Sequence, residues 1–358
     1  MTMDNIAVLG LGKVGLLAAR LLRMAGFTVT GCDQRAPRQP GPFDVLTIDV
    51  SSRQALTGAL EATGAHAVLS CLPYHLNIAV ADVAYALGIH YFDLTEDVPT
   101  TQHIRVLAED ARALMAPQCG LAPGFVGIVA ASQIESFDHC RSVRLRVGAL
   151  PQNPTGLLGY AFNWSPEGVV NEYLNDVEVI EDGVHKWVSP MEWHETIYVN
   201  GTKLEAFTTS GGLGTMCETY LGRVDNLDYK TMRYPGHMEL MNFFFHELLM
   251  RERRELAGQI LTNAKPPVED DAVYMHVASE GEIAGQMRRI EFVRVFHPRV
   301  LDGEQRTAIA WTTASSAAAV IQMVRDQTLK QRGFLKQEDI PLADFHATVS
   351  GHLLLTTS

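Results

Sequence analysis

The glycine-rich turn Gly10-Leu11-Gly12-Lys13-Val14-Gly15 constrains the fold of this chain more than any other feature. A short apolar stretch, Ile6 to Leu9, precedes the turn, and apolar residues recur at helical spacing after it. In a dinucleotide-binding turn the first glycine makes the tight bend, the second lets the backbone approach a pyrophosphate, and the third lets the helix pack closely on the strand. The helix N-terminus then receives the phosphates. The pattern predicts a dinucleotide site, with a structural glycine turn of another α/β domain as the alternative.

An acidic residue after the second expected strand bears on the choice of cofactor. Asp33 follows the stretch Thr28 to Cys32, at the distance from the turn that the dinucleotide pattern requires. Its carboxylate can accept both ribose hydroxyls of an adenosine and would repel a 2′-phosphate, which favours NAD. Arg35 and Arg38 follow, and an arginine here can bind a 2′-phosphate, so NADP stays open as the cofactor.

Strand-like and helix-like stretches continue to alternate through the first third of the chain. Strands are expected at Asp44 to Val50, Ala67 to Pro73 and Tyr91 to Glu96, and another at the sequence ALMAPQ. Six short strands separated by helices predict a doubly wound parallel sheet, the Rossmann type of α/β fold, with ligands at the carboxyl ends of the strands. The residues expected to contact the cofactor are therefore Gly10, Gly12, Lys13, Val14, Gly15, Asp33, Gln34, Arg35, Asp49, Val50, Cys71, Leu72, Pro73, Tyr74, Leu94, Cys119 and Gly120.

The sequence changes character after Phe125. The stretches RSVRLRVGAL, KLEAFTT, VYMHVASEG and RRIEFVRVFH alternate polar and apolar residues, as half-buried antiparallel strands do, and the last two are spaced as a hairpin. Helices are expected at PEGVVNEYLN and at MELMNFFFHELLMRERRELAGQIL, and one long helix is expected from Ser315 to Gly333. The second region is therefore of α+β architecture.

Composition and charge exclude several classes of protein. With 358 residues, of which 47% are hydrophobic, the chain can bury the cores of two domains. A net charge of -12 repels phosphate backbones, so no nucleic-acid partner is expected. Five cysteines without CxxC spacing, and Met250 where a zinc helix would need a histidine, predict no metal. No membrane-spanning run or signal-peptide pattern is visible, so a cytoplasmic chain without a membrane partner is expected.

Five motifs spread over most of the chain resemble the saccharopine dehydrogenase family. They are the N-terminal GLGKVG, CGLAPG at Cys119 to Gly124, FNWSPEG at Phe162 to Gly168, TSGGLGTMCETYLG at Thr209 to Gly222, and LDYKTMRYPGH at Leu227 to His237. They occur in the order that the family has, and YKTMRYPGH is the most specific of them. Within the family the chain resembles the lysine 6-dehydrogenase-like branch more than the glutamate-forming saccharopine reductases.

The resemblance implies two domains. A Rossmann domain of residues 1–125, completed by a C-terminal helix and tail of residues 312–358, would bind the cofactor. Residues 126–311 would form an α+β mixed-sheet domain that binds a small amino-acid substrate and makes a homodimer. The implied chemistry is oxidation of a carbon that bears an amine, with hydride passing to the nicotinamide. Because a lysine ammonium has a pKa near 10.4, a general base is needed to remove a proton first.

Two departures from the glutamate-forming branch bear on the substrate. That branch resembles GLDPG where this chain has Ala122, and it carries an arginine for a substrate carboxylate near Ser210 to Gly212. The loss of both groups weighs against saccharopine reduction and favours a smaller or differently charged substrate.

The candidate catalytic residues are Asp93 and His237. Asp93 ends the fifth expected strand at the cofactor edge, where its carboxylate can accept a proton from the substrate or cap a turn. An unperturbed histidine titrates near neutrality and can shuttle a proton, with a structural role as the alternative. Arg233 matches the arginine of the family that binds a substrate α-carboxylate, with an ion pair between strands as the alternative. The implied substrate-binding residues are Trp164, Ser165, Glu218, Thr231 and Arg233.

The leading hypothesis is an NAD-dependent amino-acid dehydrogenase acting at the ε-amine carbon of lysine or a close relative. One alternative is an opine-type reductase that joins an amine to a keto acid. The other is a cofactor-binding sensor that has no catalytic activity, which Ala122 suggests.

Overall fold

A computed structural model describes residues 3–38 and 41–355 of the chain. They divide into two compact units. The first comprises the described residues of Met1–Ile128 and Ala310–Thr356, and the second comprises Val129–Ile309.

The strands are numbered in chain order. They are β1 Asn5–Leu9, β2 Thr28–Asp33, β3 Asp44–Thr47, β4 Ala67–Ser70, β5 His90–Asp93, β6 Leu114–Ala116, β7 His139–Pro151, β8 Val177–Glu181, β9 Val184–Val188, β10 Glu195–Val199, β11 Thr202–Thr208, β12 Val224–Arg233, β13 Asp271–Ile283, β14 Gln286–Phe296, β15 Arg299–Leu301, β16 Glu304–Arg306 and β17 Gly333–Phe334.

The α-helices are numbered in the same way. They are α1 Lys13–Met24, α2 Arg53–Ala62, α3 Tyr74–Leu87, α4 Val98–Ala108, α5 Phe125–Ile134, α6 Pro166–Leu174, α7 Met216–Tyr220, α8 His237–Asn242, α9 Arg254–Ala264, α10 Ala308–Arg325, α11 Leu342–Ala347 and α12 Val349–Leu355. Short turns of other helix types lie at Phe243–Glu247, Met250–Glu252 and Gln337–Asp339.

The first unit is built on a parallel sheet. In the described part of this unit the sheet has seven strands, in the order β17-β6-β5-β4-β1-β2-β3, and every neighbouring pair is parallel. All four residues of β4 are buried, as expected for a central strand covered on both faces. The order reverses between β1 and β4, which is the position where ligands bind in such sheets. The predicted doubly wound Rossmann fold is confirmed.

The C-terminal part of the first unit differs from the sequence expectation. The long helix runs from Ala308 to Arg325 and not from Ser315 to Gly333, and residues after it return to the sheet as β17. Polar side chains end the helix: Thr328 Oγ1 donates to the carbonyl of Met323, and Gln331 Nε2 donates to that of Val324. These bonds satisfy carbonyls that a longer helix would have used.

The second unit is built on a mixed sheet. Its described residues form an eight-stranded sheet whose main path is β10-β11-β12-β7-β13-β14, with β8 pairing with β12 and with β9. β7 and β12 are parallel, and the other pairs are antiparallel. The predicted hairpin of β13 and β14 is confirmed. The mixed sheet that the family resemblance implied is confirmed. The alternating pattern indicated only antiparallel strands, because it reports which face is buried and not strand direction.

A helix that the sequence predicted as continuous is interrupted. The expected helix from Met238 to Leu261 consists of α8, the turns at Phe243–Glu247 and Met250–Glu252, and α9. Leu249 has a φ of 56°, which breaks the helical hydrogen-bond pattern. Phe243 and Leu248 are both more than half exposed, so the apolar run does not form one continuous buried stripe.

Candidate active site

The three glycines of the turn in the first unit differ in how closely other atoms surround them. Gly10 has a φ of 85°, and a Cβ added to it would lie 2.9 Å from the carbonyl oxygen of Cys71. A Cβ on Gly15 would lie 1.9 Å from the carbonyl oxygen of Gly10. A Cβ on Gly12 would meet nothing within 4 Å. The packing of the protein therefore requires the outer two glycines but not Gly12, whose open side fits the approach of a ligand to the N-terminus of α1.

Asp33 is fixed beside this turn. Its Oδ2 accepts the backbone N–H of Leu11 at 2.6 Å, and its Oδ1 accepts the backbone N–H of Arg35 at 3.0 Å. The side chain is only partly buried, while Arg35 and Arg38 are exposed. The carboxylate is thus held at the end of β2 with lone pairs to spare, since each carboxylate oxygen can accept two hydrogen bonds.

The end of β3 supplies further polar groups at the same edge of the sheet. Asp49 Oδ1 accepts the backbone N–H of Ser51 at 3.0 Å and the side chain of Gln34 at 3.3 Å. Hydrogen bonds from the Ser51 side chain and backbone lower the pKa of Asp49. β3 itself ends at Thr47, three residues before the predicted end at Val50. Val50 is buried in the core of the unit, which leaves Asp49 as the accessible member of the predicted pair.

The connection from β4 to α3 lies against the glycine turn. The backbone N–H of Cys71 donates to the carbonyl of Leu9 at 2.8 Å, and Leu72 lies within 3.1 Å of the space that a Cβ on Gly10 would take. Pro73 precedes α3 and Tyr74 begins it, with Tyr74 partly exposed. Burial, together with the charge of Asp93, raises the pKa of Cys71 to about 12. The thiol is therefore neutral at physiological pH.

Asp93 fastens the loop after β6 to the end of β5. Its Oδ1 accepts the backbone N–H groups of Thr95 at 3.0 Å and Gln118 at 2.9 Å, and its Oδ2 accepts the hydroxyl of Tyr91 at 2.7 Å. Its carbonyl accepts the N–H of Cys119 at 2.8 Å. The side chain is fully buried, and burial raises its pKa to about 6. The geometry favours an anchor, the turn-capping alternative, over a base that exchanges protons with solvent.

The loop from Gln118 to Gly124 is shaped mainly by its own backbone. Gly124 has a φ of 132°, and a Cβ on it would lie 2.0 Å from the carbonyl oxygen of Gly120. On Gly120 the nearest contact of a Cβ would be 3.4 Å, so its packing is looser. The turn thus explains Gly124 without any ligand. Cys119 is fully buried, its Sγ donates to the carbonyl of Ala116, and burial raises its pKa, as expected for a small apolar residue and not for a nucleophile.

Glu96 is a carboxylate that the sequence reasoning missed. β5 ends at Asp93, so Leu94, Thr95 and Glu96 lie in the loop at the carboxyl edge of the sheet and not in the predicted strand. Glu96 is partly exposed, and burial, with the charges of Asp97 and Asp93, raises its pKa to about 7. Three acidic residues within DLTED were the available signal. A carboxyl group with such a pKa is suited to accept a proton near neutral pH.

In the second unit His237 belongs to a buried chain of hydrogen bonds. The Nε of Arg233 donates to the hydroxyl oxygen of Tyr173 at 2.7 Å. That hydroxyl in turn donates to His237 Nε2 at 3.0 Å, and His237 Nδ1 donates to the carbonyl of Leu158 at 2.9 Å. Burial, and then the positive charge of Arg233, lowers the pKa of His237 to about 3. The expectation that this histidine titrates near neutrality is therefore wrong, because its neutral form is the one that the network binds.

Arg233 lies inside the second unit and is only 2% exposed. Its Nη1 donates to the carbonyl of Met232 and to Thr231 Oγ1, its guanidinium lies 4.7 Å from the ring centre of Tyr160, and its Nη2 is 4.0 Å from Glu172 Oε2. These groups already occupy much of the guanidinium. A direct contact with a substrate carboxylate therefore remains a prediction.

The remaining substrate-binding candidates are placed separately. Ser165 caps the N-terminus of α6, and its Oγ accepts the backbone N–H of Gly168 at 3.1 Å. Trp164 is partly buried and packs on the core of the second unit. Glu218 is exposed on α7. The structure thus joins Thr231, Arg233 and His237 in one network through Tyr173. In the described ranges, no group of three His, Cys, Asp or Glu side chains could hold a metal ion.

Comparison with protein families decides the affiliation of the chain. Residues 6–117 match the saccharopine dehydrogenase NADP binding domain, and residues 120–350 match the saccharopine dehydrogenase C-terminal domain. The chain belongs to the saccharopine dehydrogenase family. The first unit therefore holds a nicotinamide-dinucleotide-binding domain of an oxidoreductase family, and the residues around Gly12 and Asp33 fit that cofactor.

Curated relatives of this saccharopine dehydrogenase family member are longer proteins. The mitochondrial alpha-aminoadipic semialdehyde synthase of Bos taurus is 25% identical over 295 residues, which cover 76% of this chain and 30% of the relative. The same enzyme of Rattus norvegicus is 24% identical over 270 residues, covering 68% of this chain and 28% of the relative. The chain thus spans less than a third of the length of these curated relatives.

A solved structure shares the fold over the whole length. The apo saccharopine dehydrogenase (L-Glu forming) of Saccharomyces cerevisiae superimposes with a TM-score of 0.76 at 17% sequence identity, covering 97% of this chain and 98% of the yeast chain. At this identity the likeness shows the fold. Among residues 3–38 and 41–355, no helix is both long and apolar enough to cross a membrane.

Proposed function

We propose that this family member oxidises the amine-bearing carbon of lysine or a closely related amino acid, with NAD as the preferred hydride acceptor. The observation that carries the proposal is the open side of Gly12 at the N-terminus of α1, next to the fixed carboxylate of Asp33, in a domain of the dinucleotide-binding family. The division of labour implied by the family resemblance is part of the proposal: residues 1–125 and 312–358 bind cofactor, and residues 126–311 bind substrate and form a homodimer.

The preference for NAD rests on charge. Asp33 points its carboxylate at the same turn that receives the diphosphate, and a second negative group there disfavours a 2′-phosphate. Arg35 and Arg38 lie beyond it on the surface and are the groups that would favour NADP. Because the matched family domain is described as NADP binding, both coenzymes belong in the test.

The substrate assignment combines the departures in sequence with the chemistry of the relatives. Alpha-aminoadipic semialdehyde, named in the relatives, is lysine whose terminal amine-bearing carbon has become an aldehyde. Oxidation of a primary amine at that carbon to an imine, followed by hydrolysis, gives the same compound. Ala122 and the glycines at 211–212 leave out two polar groups expected of the glutamate-forming branch, which supports lysine itself as substrate.

The chemistry needs a proton acceptor before hydride can leave. The substrate ammonium first gives one proton to a carboxylate, and the nitrogen lone pair then forms the imine double bond as the hydride departs from carbon. When bound, the oxidised nicotinamide accepts that hydride. We assign the proton acceptor to Glu96, whose carboxyl group is partly exposed and has a pKa near 7. Asp93 holds the backbone of the neighbouring loop in place, and the sequence-based prediction of Asp93 as base is the competing assignment.

A substrate panel tests the proposal. Purified protein is mixed with NAD or NADP and with lysine, ornithine, cadaverine or saccharopine, and reduced coenzyme is followed by absorbance. We expect turnover with lysine and NAD. The Gly12→Ala variant is the matched control, because it should fold and yet lose cofactor binding. No turnover with any amine, from a wild-type protein that binds coenzyme, would overturn the dehydrogenase proposal.

Two other functions are supported by single observations. An opine-type reductase would oxidise reduced coenzyme only when an amine and a keto acid are both present. A non-catalytic sensor is favoured by the full engagement of both predicted catalytic residues, Asp93 and His237, in structural hydrogen bonds. Tight binding of reduced coenzyme without turnover in either direction would identify the sensor.

A further inference from the structure

A cavity of about 530 Å³ lies within the second unit, and its lining includes Tyr173, whose hydroxyl links Arg233 to His237. Arg251, Arg254 and His246 line one part of it, and Ser189 and Glu192 line another. His246 and Arg251 lie in the turns between α8 and α9, and Arg254 is the first residue of α9. Ser189 and Glu192 lie in the loop that follows β9. Opposite charges thus face one cavity from two segments that are distant in sequence.

Among the described residues, the hydrogen-bond partners of the two arginines are amide oxygens and an imidazole nitrogen. Arg254 Nη1 donates to the side-chain oxygens of Asn171 at 2.9 Å and Asn175 at 2.7 Å. Arg251 Nη1 donates to Nδ1 of His246 at 2.9 Å. Within the described ranges neither guanidinium has a carboxylate within ion-pairing distance. Both retain N–H groups for an anion.

Glu192 is fixed through its backbone while its carboxylate stays unpaired. Its N–H donates to Thr208 Oγ1 at 3.0 Å, and its carbonyl accepts the N–H of Thr208 at 3.1 Å. In the part of the chain that the structure describes, the carboxylate has no hydrogen bond or ion pair. It lines the same cavity as Arg251 and Arg254, yet it forms a salt bridge with neither.

We propose that this cavity binds an acidic α-amino acid as a second ligand of the protein. The two arginines would each bind one carboxylate, and Glu192 would bind the ammonium group. Two positive groups and one negative group match a ligand with the reverse charges. A plain dicarboxylate or phosphate would leave Glu192 facing a like charge, which weakens binding.

None of the predicted substrate residues lines this cavity, although it shares Tyr173 with the network of Arg233 and His237. Ser165 caps the N-terminus of α6, whereas the partners of Arg254 lie further along the chain: Asn171 is in the C-terminal half of the helix and Asn175 follows its last residue. The nine residues of α6 span roughly 13 Å at 1.5 Å per residue. The proposal does not depend on the proposed function, because it concerns binding to the second unit without coenzyme.

Calorimetry on the full chain without coenzyme tests the ligand class. The probes are L-glutamate, glutarate, which lacks the ammonium, γ-aminobutyrate, which lacks the second carboxylate, and inorganic phosphate. We expect L-glutamate to bind at least tenfold more tightly than each of the other three. Equal binding of glutarate or phosphate would reduce the cavity to a simple anion site and overturn the proposal, as would the absence of any heat with L-glutamate.

Paired variants locate the site. Arg251→Gln and Glu192→Gln should each weaken L-glutamate binding at least tenfold, and Glu192→Gln should also abolish the advantage over glutarate. Arg253→Gln and Glu252→Gln are the matched controls, because both residues are exposed in the same segment and do not line the cavity. Melting curves show that each variant is folded. Unchanged binding in Arg251→Gln and Glu192→Gln, or equal losses in the controls, would overturn the assignment.

Discussion

Replacing Gly12 with alanine should weaken cofactor binding strongly and leave the fold intact. The backbone of Gly12 has a φ of -71° and a ψ of -167°, which an L-residue can adopt, and the added methyl group meets no protein atom within 4 Å. Alanine is a poorer N-terminal cap than glycine, but it also reduces the conformational entropy of the unfolded chain. The two effects oppose each other, so the free energy of unfolding should change by less than about 1 kcal/mol.

The same methyl group stands where a diphosphate oxygen must approach the N-terminus of α1. Displacing the phosphate would break at least one hydrogen bond from a backbone N–H to a charged oxygen, which is worth about 1.5–3 kcal/mol. This corresponds to a loss of coenzyme affinity of roughly 10- to 150-fold.

Calorimetric titration with NAD and NADH, together with thermal melts, measures both quantities. Gly15→Ala is the matched control on the same helix, because its Cβ would lie 1.9 Å from the carbonyl oxygen of Gly10 and should destabilise the fold itself by about 1–3 kcal/mol or more. If Gly12→Ala kept its coenzyme affinity within twofold, or melted as early as Gly15→Ala, our interpretation of the turn would be refuted.

Three further predictions concern single side chains. Asp33→Ser should weaken NAD binding and strengthen NADP binding in paired titrations, and unchanged selectivity would argue against the role of this carboxylate. In the lysine assay, kcat/KM should fall below pH 7 as Glu96 becomes protonated. In Glu96→Gln this decrease at acidic pH should be absent, and the rate should be roughly 10²- to 10⁴-fold lower. A decrease that persists in Glu96→Gln but is absent in Asp93→Asn would favour Asp93 as the base. The pKa of His237 is near 3 in the folded state, so below pH 6.5 the unfolded state binds one more proton at this residue. The free energy of unfolding should therefore fall by about 1.4 kcal/mol from this residue as the pH is lowered from 7.5 to 5.5. His237→Asn should show a correspondingly weaker decline in denaturant melts at the two pH values, and an identical decline would contradict the assignment.

The first unit was predictable because its signals are local. The glycine turn, Asp33 and the alternation of short apolar strands with helices specify the parallel sheet and its ligand edge without reference to distant residues. The second unit was less predictable, because charged side chains conceal its central strand. In β12, Asp228 pairs with Arg146 at 2.8 Å, and Lys230 pairs with Glu195 at 2.9 Å. Such pairs are made across strands, so the sequence of β12 alone does not predict a buried strand.

The site residues, too, were predictable where their signals are local and not where they depend on distant contacts. The rule that ligands lie at the carboxyl ends of parallel strands placed Asp93 at the correct edge. It did not give the burial of that carboxylate, which depends on Tyr91 and on the distant Gln118. The apolar pattern of the sequence placed Glu96 inside the fifth strand, because such a pattern gives the end of a strand only to within a few residues. The lowered pKa of His237 depends on Arg233 and Tyr173, which only the folded second unit brings together.

The edge strand β17 has a consequence for synthesis. Gly333 and Phe334 pair with Leu114 and Met115 of β6, so the outer edge of the sheet is covered by a segment made more than two hundred residues later. At ribosomal rates of about 5–20 residues per second, β6 would wait on the order of tens of seconds with unpaired backbone groups. A nascent or truncated chain that ends before Gly333 would expose this apolar edge to other strands, and such edges are where aggregation begins. The segment that contains β17 thus protects the earlier-made strands of its own unit from self-association.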